Sequence, residues 1–139
     1  MCYNCTSMEL TLDTSALLAV LLGESQAEQV LEHTRGAQLL APPSLLLEVG
    51  NALAALVKRD KLDLETAKLA LRDALKVPFR SVSIDLEWSL ILASRHRIYA
   101  YDAYMLACAE RYRTPLLTLD GRLRDVARSA GIEVLEVYA

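Results

Sequence analysis

Short apolar runs alternate with helix-length amphipathic segments along the whole chain, and this alternation narrows the fold more than any other feature. The runs at 9–12 and 38–41 read as strands, and further strands are expected at 80–84, 115–119 and 132–137. Helices are expected between them, at 15–22, 26–35, 44–59, 64–76, 85–97, 102–112 and 121–130. The punctuation agrees. Gly23 and Gly36 follow the first two helices, and Pro42-Pro43 breaks the chain after the second strand. Ser44, Asp63 and Asp85 stand where helix N-caps belong. With no internal repeat or linker, the pattern predicts an α/β fold: a parallel sheet covered by helices, with right-handed crossovers. Ligands of such sheets bind beyond the carboxyl ends of the strands.

The 139 residues suit one domain with a core of its own, and 53% apolar with 24% charged residues excludes a disordered chain. The apolar runs at 15–23 and 45–57 are too short or too interrupted, by Glu48 and Asn51, to cross a bilayer. No basic segment leads into an apolar stretch at the start, so a cytoplasmic protein without a secretory leader is expected. Three cysteines fit reduced thiols. Cys2 and Cys5 form one C-x-x-C, but no second pair completes a zinc site, and Cys108 reads as a buried thiol. Met8 opens the first strand, so the domain is expected at 8–139, with 1–7 an extension of no assigned role or a start placed too early. The net charge of −3 is not a nucleic-acid binder's balance, although it is uneven: residues 1–57 carry six acids and one base, residues 58–139 twelve acids and fourteen bases.

Four acids carry chemical interest. Asp13 and Asp120 each end a strand and open a helix, and Asp102 opens another. Taken singly, each reads first as an N-cap. Glu48 does not, because it lies inside a helix rich in leucine and alanine, where a carboxylate must be exposed, paired or bound to metal. At helical spacing it shares a stripe with Asn51, Ala52 and Ala55, away from Leu46, Leu53 and Val57. Should Asp102 and Glu48 reach the strand ends, four carboxylates would meet, and their repulsion would be relieved by a hard divalent cation such as magnesium or manganese. Phosphodiester hydrolysis suits such a centre.

The segments Leu-Asp13-Thr-Ser-Ala-Leu-Leu-Ala, Ala-Pro-Pro-Ser-Leu-Leu-Leu-Glu48-Val-Gly-Asn-Ala-Leu, Tyr-Asp102-Ala-Tyr-Met-Leu-Ala and Leu-Leu-Thr118-Leu-Asp120-Gly-Arg-Leu, in this order and spacing, resemble the PIN domain, and within it the VapC-type toxins. The resemblance covers nearly the whole chain from Met8. It implies a three-layer α/β/α sandwich and magnesium- or manganese-dependent endoribonuclease activity. It also implies a homodimer, and a cognate antitoxin that covers the acidic site. By the same resemblance Asp13 and Asp102 bind the metal directly. Asp120 binds metal or a ligating water, and Glu48 orients the attacking water or joins a second metal. Ser15 and Thr118 would support the ligands.

Arg122 and Arg124, close to Asp120, are the best candidates for phosphate contacts. The other basic residues near helix ends, including Lys58, Arg59, Arg95, Arg97, Arg111 and Arg128, read as complements to the helix dipole. Tyr99, Tyr101 and Tyr104 read as core or dimer-interface residues, with stacking on unpaired bases as the alternative. Two other function classes compete. A non-enzymatic RNA- or protein-binding PIN-like module predicts loss of acids, and none is lost. A phosphoryl-transfer enzyme with an aspartate nucleophile wants a second aspartate two residues on, where this chain has Ser15.

Overall fold

The computed structural model describes residues 8–139; the Cys2–Cys5 pair and the 1–7 extension lie outside them. Four strands, β1 (Glu9–Leu12), β2 (Gln38–Ala41), β3 (Phe79–Ser81) and β4 (Leu116–Leu117), form one parallel sheet in the order β3-β2-β1-β4. Helices α1 (Thr14–Leu21) and α2 (Ala27–Thr34) connect β1 to β2, and α3 (Leu45–Lys58) and α4 (Leu64–Lys76) connect β2 to β3. The chain then crosses to the other side of β1 through α5 (Leu86–His96) and α6 (Ala100–Tyr112), adds β4, and ends with α7 (Gly121–Ser129). The result is the expected three-layer α/β/α sandwich.

The sheet is the centre of the core because its strands are apolar on both faces, as a helix-covered parallel sheet requires. Leu10, Leu12, Leu116 and Leu117 are fully buried with Met105 and Leu106 of α6 and Leu45 and Val49 of α3. One polar cluster interrupts it. Thr11 Oγ1 meets Thr114 Oγ1 at 2.7 Å and Cys108 Sγ at 3.4 Å, so the buried thiol has a partner and burial raises its pKa. No helix among the described residues is long and apolar enough to cross a membrane.

Four expectations need correction, and the first is the strand expected at 115–119, which spans only Leu116–Leu117 because Thr118 and Leu119 turn to the Asp13 site. The segment expected as a closing strand at 132–137 is a single bridge from Leu116 to Val134. Beyond it the tail is held by side chains of α2: Gln29 exchanges two 2.7 Å bonds with the backbone of Tyr138, and His33 meets the Glu136 carbonyl at 2.7 Å. Those side chains supply partners that a ladder would otherwise provide. The third strand ends at Ser81, short of the expected 84, since its partner β2 runs into Pro42. Helix α6 begins at Ala100, two residues before Asp102, so Asp102 lies in its first turn and is not its cap.

Candidate active site

The chain order puts a topological switch between β1 and β4. The connection after β1 leads toward β2, whereas that after β4 leads into α7, and a crevice opens between the two carboxyl ends. Asp13 and Asp120 stand there for a local reason. Each follows a strand and caps the next helix: Asp13 accepts from the Ser15 amide at 3.4 Å, and Asp120 Oδ1 accepts from the amides of Arg122 and Leu123 at 2.9 and 3.2 Å. The cap reading and the site reading therefore coexist at the same residues.

Asp13 is buried, with 5% of its surface exposed, and one of its oxygens is heavily engaged. Oδ2 accepts from Ser15 Oγ at 2.6 Å and Thr118 Oγ1 at 2.7 Å. Both hydroxyls are themselves fixed by the backbone, since the Leu119 amide donates to Ser15 Oγ at 2.9 Å and the Asp120 amide to Thr118 Oγ1 at 3.0 Å. Among the described residues nothing donates to Oδ1 of Asp13 or to Oδ2 of Asp120. Burial raises the Asp13 pKa, the hydroxyl bonds oppose that rise, and the Asp120 charge adds to it.

Helices bring the other two acids. Glu48 lies in the first turn of α3, half-buried, with Leu53 of the same helix turned into the core. Its carboxyl is pushed up to about 8, first by burial and then by the charges of Asp13 and Asp102. Asp102 is half-buried and pushed up to about 6 by burial, Asp13 and Asp120, with the Arg122 guanidinium acting in the other direction. Ser44, expected as the α3 cap, makes no capping bond; its hydroxyl donates to Glu48 Oε2 at 3.4 Å instead. The spacing of four residues between Ser44 and Glu48 is the sequence signal for that pairing. Thr14, which the motif reading passed over, places a buried hydroxyl beside Glu48.

Each of the four acids thus lies within electrostatic reach of at least two others, yet no three acidic, histidine or cysteine side chains among the described residues form a ready-made metal-binding group. Oδ2 of Asp13 is turned to hydroxyls and Oδ1 of Asp120 to the α7 amides, while the charge of Asp102 adds to the rise of the Glu48 carboxyl. The donor set consists of oxygens only, and the local charge is offset by little but Arg122, so it fits a hard divalent cation.

The surroundings are asymmetric. On one side a cleft of about 520 Å³ runs from Ser15 and Asp120 past Ala52 and Ala55 to Arg59. On the other, a more apolar hollow of about 440 Å³ is lined by Ser44, Leu47, Ile84, Leu86, Tyr101 and Tyr104. Tyr99 is 82% exposed and Tyr101 44%, so neither belongs to the core; Tyr101 packs edge-on to Tyr104. Arg122 is exposed and donates to the Arg97 carbonyl at 2.9 Å. Arg124 lies over Gly121, with its Nε 3.5 Å from Asp125.

Comparison with known proteins agrees with this geometry. The PIN domain family model matches residues 10–129. Ribonuclease VapC1 of Mycobacterium tuberculosis is 34% identical over 122 residues, covering 83% of this chain and 88% of that protein. The crystal structure of PAE2754 from Pyrobaculum aerophilum superposes with a TM-score of 0.66 at 25% identity, over 86% of this chain and 80% of that one. A toxin-antitoxin complex from Klebsiella pneumoniae contains a chain of the same fold, with a TM-score of 0.51 at 22% identity, over 80% of this chain and 86% of that one. A family match over most of the chain, a relative aligned nearly end to end, and four acids at the switch point of the sheet lead to one assignment: the chain belongs to the PIN domain family, among the VapC ribonucleases.

Proposed function

We propose that the chain is a divalent-metal-dependent endoribonuclease, with its unit at 8–139, and that it acts in the cytoplasm as the toxin of a toxin–antitoxin pair. The observation that carries this reading is the convergence of four carboxylates: Asp13 and Asp120 cap the helices that follow β1 and β4, and α3 and α6 bring Glu48 and Asp102 within reach of their charge. Without a cation, repulsion and burial keep protons on such acids, and a bound divalent cation would replace those protons and balance the charge. Asp13 and Asp102 would hold magnesium or manganese, with Asp120 as a further ligand or the holder of a ligating water. The ion would polarise a phosphoryl oxygen and acidify a bound water.

The chain's own residues do the rest. Ser15 and Thr118 fix the Asp13 carboxylate through Oδ2 and leave Oδ1 without a donor among the described residues. Glu48 orients the attacking water or joins a second ion. Arg122 and Arg124 meet the RNA phosphates at the edge of the site. The exposed leucines of α5, Leu86 and Leu90, offer apolar surface to a second copy in a homodimer. The toxin-antitoxin complex that shares the fold supports an antitoxin partner, which in this reading covers the acidic site.

The test is cleavage of a structured RNA with manganese by the wild type, Asp13→Asn and Asp102→Asn. Both variants should lose more than the roughly 10–100-fold that removal of a supporting residue costs. Equal cleavage by all three would sink the assignment.

A further inference from the structure

One buried polar group in the site has no use in the scheme above. Thr14 is the first residue of α1, directly after Asp13, and is 9% exposed. Its hydroxyl is sealed from solvent and has no hydrogen-bond partner among the described residues. The neighbouring hydroxyls of Ser15 and Thr118, by contrast, are both committed to Asp13. Native proteins seldom leave a buried hydroxyl idle. A threonine later in a helix bonds back to the carbonyl one turn before it, but at the first helical position that turn does not exist.

The acceptor that Thr14 faces is Glu48. The hydroxyl stands near enough to draw that carboxyl's pKa down, though it makes no hydrogen bond to it. Among the described residues, Glu48 is otherwise held only by the 3.4 Å bond from Ser44. It is thus a carboxylate with a loose tether on one side and an idle donor on the other.

We propose that Thr14 is a positioning residue for Glu48: its hydroxyl donates to the Glu48 carboxylate when that group closes on the other three acids, and so fixes the oxygen that orients the attacking water. The inference rests on the metal-dependent nuclease reading of the site. It also gives a use to a hydroxyl at a place where valine would have the same shape and no polar atom to bury.

The test uses the full chain as wild type, Thr14→Val, Thr14→Ser, Glu48→Gln and the Thr14→Val/Glu48→Gln double variant, with manganese and a structured RNA. Thr14→Val should lower kcat about tenfold and leave KM within about twofold, and Thr14→Ser should restore most of the rate. Without metal, Thr14→Val should melt no lower than wild type, because the hydroxyl it removes has no partner there. In the double variant the valine should cost nothing beyond the loss caused by Glu48→Gln alone. A wild-type kcat in Thr14→Val overturns the proposal, as does a serine variant as slow as the valine one, a lowered metal-free melting temperature, or additive losses. Failure of the wild type to cleave any RNA would count against the substrate assignment and not against Thr14. The coupling is then read from the rise in melting temperature that manganese causes across the same proteins, where non-additivity supports the proposal and additivity overturns it.

Discussion

The two halves of the acidic site are built on different principles. The strand-end half, Asp13 and Asp120, is held by the backbone: both aspartates cap helices, and Asp13 is locked by hydroxyls that are themselves locked by amides. The helix-borne half, Glu48 and Asp102, has few hydrogen bonds and is shaped mainly by charge, with both carboxyls raised. The difference teaches that the fold preorganises one half while the other awaits a counter-charge. A rigid platform with an adjustable clamp would suit the proposed centre, which takes in a cation and then a phosphodiester.

Three experiments would break or sharpen that contrast. Thr118→Val should have the largest effect, because it removes a 2.7 Å bond to a buried carboxylate and the acceptor of the Asp120 amide. RNA cleavage should fall roughly 10–100-fold. Chemical denaturation should show a loss of about 1–3 kcal/mol. A variant with full activity would remove the claim that the strand-end half is rigid by necessity.

The helix-borne half should respond to pH, and the sign follows from the raised carboxyls. The metal-free folded state holds protons on Glu48 up to about 8 and on Asp102 up to about 6, above their ordinary values of 4.5 and 3.8. It therefore binds more protons than the unfolded chain across that window, and stability present below the ordinary values is lost as pH rises through the folded ones. Both groups are partly exposed, so solvent screening keeps the effect to a few degrees in Tm. Glu48→Gln should flatten the fall in metal-free Tm between pH 5 and 8.5, as read by calorimetric scans. An unchanged slope in that variant would mean that Glu48 does not feel its neighbours. Ser44→Ala should have the smallest effect. Its 3.4 Å contact is long, and its loss is worth less than about 1 kcal/mol by denaturation, with cleavage close to wild type.

Local signals were legible wherever the outcome depended on residues close in the chain. Asp13, Asp63, Asp85 and Asp120 cap the helices that follow them, as their positions foretell, because a cap needs only its own next turn. The order of strands and helices was legible for the same reason. The closing strand was not: 132–137 has strand-like chemistry, but only one bridge forms, since Gln29 and His33 of α2 take over its backbone. Tyr99 and Tyr101 carried no sign of the exposure they have, because aromatic residues serve cores and surfaces alike.

The four acids divide along the same line. The sequence by itself determined that Asp13 and Asp120 stand between a parallel strand and the helix each caps, and that Glu48 is a carboxylate a cap cannot explain. Only the tertiary structure decided that α3 and α6 bring Glu48 and Asp102 to those strand ends, that Thr14 faces Glu48, and that Ser44 serves Glu48 and not its own helix. Local propensity acts over a turn or two of chain, whereas the burial and repulsion that give this site its character arise between groups dozens of residues apart, once packing has made them neighbours.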